Sequence, residues 1–231
     1  QEYVNLDKFW NSLRTGGKYT VEFNQFDTSP SPTGVKKDDN ENLVCEPSTN
    51  IVKGRDDYEN KGLFMSIDVN AYVDEQDNYH VTAIKGDGRF KNDGTMGDVY
   101  VMAMPGYLKW FFTDTTWGIS YSDVMYPGYE IIGEAVKPDG VIRPFLLHAK
   151  HDAGRNPYEN NNLASISGVY PEYVGMSHNG QITEFKKKGA QYSGKTSHDD
   201  FYVQLMMWIK YATTISDSVM KGCQSYYLQY T

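Results

Sequence analysis

Apolar residues at Val4 or Leu6, Phe9-Trp10 and Leu13 recur at helical spacing ahead of Gly16-Gly17, which predicts a short amphipathic helix within residues 3–14. Tyr19-Thr-Val-Glu-Phe-Asn-Gln-Phe26 then alternates in the manner of a strand. Residues 27–42 are rich in Ser, Pro, Asp, Asn and Lys and offer almost nothing to bury, so they read as an exposed loop or linker. Leu63-Phe-Met-Ser-Ile-Asp-Val-Asn-Ala-Tyr-Val73 leads into the polar turn Asp74-Glu-Gln-Asp-Asn78, and Tyr79-His-Val-Thr-Ala-Ile84 returns, which predicts a hairpin. Turn clusters at Gly86-Asp-Gly88 and Asn92-Asp-Gly94 precede further strand-like runs at 99–104, 108–113 and 117–121. The middle of the chain therefore reads as antiparallel β.

Pro138-Asp139-Gly140 is a turn signal, and Arg143-Pro-Phe-Leu-Leu-His-Ala149 reads as one more strand. Residues 152–181, with Asn160-Asn-Asn162 and several glycines, read as loop. The strong helix comes late, over 196–212. Phe201, Leu205, Trp208, Ile209 and Ala212 make its apolar stripe, and Ser197 with Asp200 stands in capping-box order. A shorter helix over 217–221 is expected to end at Gly222. The fold class predicted is α+β, mainly β: antiparallel sheets with one main helix at about 196–212. Three consecutive segments follow from the pattern: 1–55 (helix, strand and linker), 56–135 (antiparallel β) and 136–231.

At 231 residues the chain has ample length for a hydrophobic core. Its net charge of −8 repels phosphate, and no basic block is longer than Lys186-Lys187-Lys188, so nucleic acid is not expected as a partner. No run approaches the 18 or so apolar residues of a membrane span, so membrane insertion is not expected. Gln1-Glu2-Tyr3 lacks the layout of a secretion signal, and the first residue is not Met, so the chain is expected to be processed or cut from something longer. Aromatic residues make up 14% of the chain and 19 of them are Tyr; rings with a hydroxyl tip suit wet interfaces and glycan or protein contacts.

Cys45 and Cys223 have no CxxC spacing; they read as two small buried hydrophobes, with one long-loop disulfide as the alternative. His148-Ala-Lys-His151-Asp152 has the look of a metal cluster, but positions three apart on a strand face opposite sides, and the expectation is a strand end with a solvent-facing His. His80, His178 and His198 are isolated. Asp74 to Asn78 and Asp38-Asp39-Asn40 lack the spacing of a calcium loop and read as solvated turns. No metal and no cofactor are expected. The nucleophile elbow, the phosphate-binding loop and the dinucleotide fingerprint are all missing from the sequence. A carboxylate pair for glycoside cleavage needs no sequence proximity, so composition leaves it open. The aromatic residues Tyr107, Trp110, Trp117, Tyr121, Tyr126 and Tyr129 are the candidate contact platform for a glycan or receptor; the competing reading is that they are sheet core.

One resemblance goes further. Arg143-Pro-Phe-Leu-Leu-His-Ala-Lys150, Gly175-Met-Ser-His-Asn-Gly-Gln-Ile-Thr183, Lys188-Gly-Ala-Gln-Tyr-Ser-Gly194, Trp208-Ile-Lys-Tyr-Ala-Thr-Thr214 and Ser218-Val-Met-Lys-Gly-Cys223 resemble uncharacterised structural proteins of tailed phages and prophages of gut Firmicutes. Val44-Cys-Glu-Pro-Ser-Thr49 and His80-Val-Thr-Ala-Ile84 are similar to the same family, so the likeness spans roughly residues 44–230. The resemblance implies a C-type-lectin-like module over 136–231, of the kind shared with formylglycine-generating enzymes and phage tropism determinants. It also implies later strands beyond Tyr230-Thr231, so a fragment is expected. The paired catalytic cysteines of the enzyme branch are missing, which argues for a binding or structural role.

The expectation is a non-enzymatic virion structural protein, exposed on tail or capsid, with host-surface recognition as its role. Its partners are then other virion proteins, a host cell-surface glycan or protein, and further copies of itself as a homo-oligomer. The alternative is a secreted or cell-surface carbohydrate-binding or adhesion module, extracellular or on the bacterial surface. A third reading is a depolymerase acting on host glycans through two carboxylates.

Overall fold

A computed structural model describes residues 5–49, 51–172 and 176–219. In chain order the elements are α1 (Leu6–Ser12), β1 (Lys18–Asn24), β2 (Val35–Asp38), β3 (Ser66–Val73), β4 (Tyr79–Ile84), β5 (Asp98–Ala103), β6 (Tyr107–Phe112), β7 (Thr116–Ser122), β8 (Glu130–Ile131), β9 (Leu146–Ala149), β10 (Ala153–Arg155), β11 (Leu163–Ser165), α2 (His178–Phe185) and α3 (Ser197–Tyr211). Among the described residues the strands form antiparallel sheets ordered β2-β1-β7-β6-β8, β4-β3-β5-β9 and β10-β11. The class is the expected α+β, mainly β, with α3 as the main helix. No helix among the described residues is long and apolar enough to cross a membrane.

The chain divides into two compact units. Unit 1 combines Gln1–Leu13, Met65–Pro105 and Gly133–Asp199; unit 2 combines Arg14–Phe64, Gly106–Ile132 and Asp200–Thr231. This differs from the consecutive segments 1–55, 56–135 and 136–231 of the sequence reading. Antiparallel pairing is the reason: β1 finds its partner in β7, about a hundred residues on, and β5 finds one in β9.

In unit 2, β1 pairs with β7 from Lys18↔Ser122 to Asn24↔Thr116, and β7 pairs with β6 across a tight hairpin. Tyr19, Val21, Phe23, Ile119 and Tyr121 are buried and share one face, because directly opposed residues point the same way. Tyr19 and Tyr58 both meet the Phe64 ring edge-on, at 4.8 and 4.9 Å between centroids. Gly106 is dictated by this packing: a Cβ there would lie 2.4 Å from the Tyr121 ring.

The segment 27–42, expected to be a linker, carries β2 and closes the C-terminal end of α3. Helix ends leave carbonyls without intrahelical donors. Here Asn40 Nδ2 donates to Ile209 O at 3.0 Å, Lys36 Nζ to Lys210 O at 2.6 Å, and Gly34 N to Ala212 O at 2.7 Å. Lys36 also donates to Leu43 O and Tyr58 Oη. A cation at the negative end of a helix is favourable, although burial pulls the Lys36 pKa below its ordinary value. β2 carries no apolar alternation because it is an edge strand whose side chains are mostly exposed.

In unit 1 the centre is β3, flanked by β4 and β5, with β9 beyond β5. Val69, Ala71, Val81, Ala83, Val99, Met102 and Leu146 are buried there, and α1 buries Trp10. The fully buried Asn70, beside a bulge in the β3–β4 pairing, braces the following loop: its Nδ2 donates to Lys91 O at 2.8 Å and its Oδ1 accepts from Lys91 N at 2.9 Å. Asp98 on β5 is the polar anchor. It accepts from Ser165 N on β11 and from Lys188, and both charged side chains are 5% exposed. Burial works against the Lys188 charge, but Asp98 outweighs it and its pKa is raised. Tyr192 Oη accepts from Val73 N at 2.9 Å and Gln191 Nε2 donates to Val73 O at 2.8 Å, pinning the end of β3.

Several local expectations shift. Residues 152–181 hold β10, β11 and the start of α2, whose Ser177 Oγ accepts from Gly180 N; α2 buries no residue, so no apolar stripe announced it. The capping box of α3 is Thr196 with Asp199, one residue earlier than Ser197 with Asp200: Thr196 N donates to Asp199 Oδ2 at 2.6 Å and Asp199 N to Thr196 Oγ1 at 3.3 Å. A short 3-10 turn spans Ser216–Ser218; residues 220–222 of the expected helix, and Cys223, lie outside the described residues.

Replacing Lys188 by Met leaves Asp98 buried without its counter-charge, and the expected loss is about 3–5 kcal/mol of unfolding free energy. Lys187→Met, whose partner Glu184 keeps Arg155, is expected to stay within about 0.5 kcal/mol. Chemical denaturation of the two variants against wild type checks the contrast.

Candidate functional site

The pleat of β6 and β7 divides the residues proposed as one platform. Trp110 and Phe112 on β6 leave the same face as Trp117 and Tyr121 on β7, since Trp110 opposes Ile119 and Phe112 opposes Trp117. Trp110 and Trp117 lie 6.0 Å apart, and the edge of Trp208 meets both, at 5.7 and 5.5 Å. Phe23 stacks on Trp117 at 4.6 Å. Much of this cluster is therefore packing between sheet and helix, with Trp110 39% and Phe112 71% exposed at its rim. Tyr121 is fully buried and offers no contact surface, which corrects its place among the candidate contacts.

Tyr126 and Tyr129 stand over the opposite face. With Phe111, Lys109, Lys18, Glu22 and the hydroxyl-bearing Thr20 and Ser120, they line an open groove of about 530 Å³ that Asp38 and Lys37 border. Tyr107 shares this face by strand period, with the Arg14 guanidinium 6.0 Å from its ring, but it does not line the groove.

Hydrogen bonds fix the groove floor. Tyr129 Oη donates to Ser120 Oγ at 2.7 Å, Ser120 Oγ lies 2.6 Å from Thr20 Oγ1, and Thr20 Oγ1 donates to Asp38 Oδ2 at 2.5 Å. A hydroxyl has one proton, and the carboxylate only accepts. The donors therefore run in one direction, from Tyr129 to Asp38. The rim is held by Asp123, which accepts from Thr15 N at 2.6 Å and Gly16 N at 2.8 Å. Gly16 O in turn accepts from Tyr126 Oη at 2.7 Å, and Lys18 Nζ sits 4.0 Å from the Tyr126 ring centroid. Thr20, Ser120 and Tyr129 are themselves buried, which corrects the place of Tyr129 among the candidate contacts; the groove presents aromatic surface and charges of both signs above them.

A second polar cluster belongs to unit 1. His148 on β9, expected to face solvent, is only 16% exposed. Its Nδ1 lies 3.2 Å from Glu134 Oε1, in a 3-10 turn, and 3.6 Å from Asp199 Oδ1, in the first turn of α3. One ligand atom of each residue lies within 4.8 Å of the others. Burial and the Asp199 charge push Glu134 up from its ordinary 4.5 to about 8, against the Arg143 guanidinium. Burial works against Asp199 too, but its bonds from His148 and Thr196 outweigh it and hold that carboxyl well below the usual range. His151 lies beyond β9, off the strand that carries His148, and the groups that do meet His148, Glu134 and Asp199, are distant from it in sequence. Only the Thr196-x-x-Asp199 capping box was there to be read for Asp199.

Comparison with protein-family models, with curated proteins and with solved structures finds no match.

Because folding raises the Glu134 pKa, the folded chain holds that proton more tightly than the unfolded one. Stability is full below about 4.5 and declines as pH rises through about 8, by at most about 1.4 kcal/mol per pH unit. In the presence of a chelator, Glu134→Gln is expected to flatten this decline. Parallel melting-temperature curves for wild type and variant between about pH 5 and 8 would contradict it.

Proposed function

We propose that the protein is a non-enzymatic recognition protein, a structural component exposed on a phage virion, whose unit 2 groove binds a hydroxyl-rich host-surface glycan. The groove is the observation that carries this reading. Rings of Tyr126 and Phe111 offer apolar faces to a sugar, while Lys18, Glu22, Asp38 and Lys109 offer donors and acceptors of both signs to its hydroxyls. The balance of charge suits a neutral or mildly charged polymer rather than a polyanion. Lys187 and Lys188, the core of the sole basic run, are tied to Glu184 and Asp98, which supports a surface without a nucleic-acid patch. The virion placement, with homo-oligomeric assembly and other virion proteins as partners, rests on the family resemblance of residues 44–230.

The depolymerase reading is less well supported. Glu134 and Asp199 bring one carboxyl oxygen each to within 4.8 Å of one another, whereas carboxyl groups that cleave a glycosidic bond stand about 5 Å apart or more. A secreted or cell-surface carbohydrate-binding module would use the same groove, and location decides between the two.

Saturation-transfer NMR with host polysaccharide fragments is expected to show binding that Tyr126→Ala and Lys109→Ala each weaken about tenfold, a change of about 1.4 kcal/mol. Trp110→Ala, on the opposite sheet face, is expected to leave it unchanged. The reverse pattern removes the groove from the argument, and release of new reducing ends removes the non-enzymatic assignment. Antibody labelling of intact phage particles is expected to decorate their surface; bare particles with label on the bacterial envelope favour the cell-surface module.

A further inference from the structure

We infer that His148 Nδ1, Glu134 Oε1 and Asp199 Oδ1 form a site for one divalent transition-metal ion, Zn²⁺ in the first place, in unit 1. The spacing is the first argument. Around a tetrahedral ion with bonds of about 2.1 Å, neighbouring donor atoms stand about 3.4 Å apart. The two nitrogen-to-oxygen separations here, 3.2 and 3.6 Å, bracket that value.

The second argument is polar satisfaction. Both carboxylates converge on the same ring nitrogen, which carries at most one proton, so it can donate to only one of them. Glu134 has a side chain only 8% exposed, and its Oε2 is buried with no hydrogen-bond partner. A dication placed between the two carboxyl groups and the imidazole would meet all three donor atoms at once.

Orientation is the third. Thr196 N and Thr196 Oγ1 both donate to Asp199 Oδ2, at 2.6 and 2.7 Å, which turns Oδ1 towards His148. Outer bonds of this kind aim a carboxylate at a metal. The Arg143 guanidinium, which acts on Glu134 electrostatically, is engaged by the Asp77 carbonyl at 2.7 Å and its carboxylate at 2.5 Å. Donors of one imidazole and two carboxylates, without thiolate, suit Zn²⁺ or Mn²⁺ better than a soft ion. Asp199 is 24% exposed, leaving an approach for water as the fourth ligand. The site and the unit 2 groove stand independently of one another.

The test uses the whole chain, stripped with a chelator and titrated with Zn²⁺ by calorimetry at about pH 7.5. One equivalent is expected to bind with micromolar or tighter affinity. Glu134→Gln and His148→Ala are each expected to weaken it by at least about 100-fold, and Thr196→Ala by about tenfold. His178→Ala, on α2, is expected to leave it unchanged. Circular dichroism confirms that each variant is folded; Glu134→Gln and Asp199→Asn, close in shape to the native side chains, carry the test if His148→Ala is not. No stoichiometric binding by the wild type overturns the site, as does binding that Glu134→Gln and Asp199→Asn leave intact.

Discussion

Successive side chains on a strand leave opposite faces of a sheet, and in unit 2 that alternation decides what each aromatic residue can do. On β6, Trp110 and Phe112 go to one side while Lys109 and Phe111 go to the other. On β7, Trp117, Ile119 and Tyr121 join the first side, and Ser120 joins the second. One face becomes a packed aromatic layer against α3. The other carries charged side chains over a buried hydroxyl network, with Tyr126 and Tyr129 folded over it from the loop ahead of β8. A sheet with one dry and one wet face can serve as both scaffold and contact surface.

Polar groups shape both units as much as apolar ones do. The C-terminal carbonyls of α3 are met by Gly34, Lys36 and Asn40, so a stretch with little to bury is held in place by what it donates. In unit 1, Asp98 gathers β11 through Ser165 and the turn after α2 through Lys188. Buried pairs of this kind contribute little net energy when intact and cost much when half is removed, so they specify an arrangement more than they stabilise it. The Glu134–His148–Asp199 cluster likewise gathers polar groups from three segments distant in sequence.

Function on this fold is assigned by sites, since fold class alone carries no chemistry. The groove has the mixed aromatic and polar character of a contact surface. The His–carboxylate cluster has the compactness of a ligand set. The proposed recognition role and the proposed ion site each draw on one of these features.

The two-residue and 3.6-residue periods of apolar positions were enough to place α1, β1, the β3–β4 hairpin, β5, β7, β9 and α3, because each of these buries residues and must therefore pattern them; β6, which has no buried residue, showed through its aromatic run. The other elements left no such trace: β2 is an edge strand, α2 has no buried residue, and β10 and β11, though β11 is buried throughout, are too short at three residues each to show a period. Which strands pair was also outside the sequence, and with it the interleaving of the two units. The sites followed pairing. Tyr121 and Tyr126 are similar residues five positions apart, yet one is core and the other lines a groove. Glu134, His148 and Asp199 are unremarkable singly and converge only after β9 and α3 are in place. Local periodicity records what a segment must hide from water; the meeting of polar groups from distant segments is a property of the folded chain.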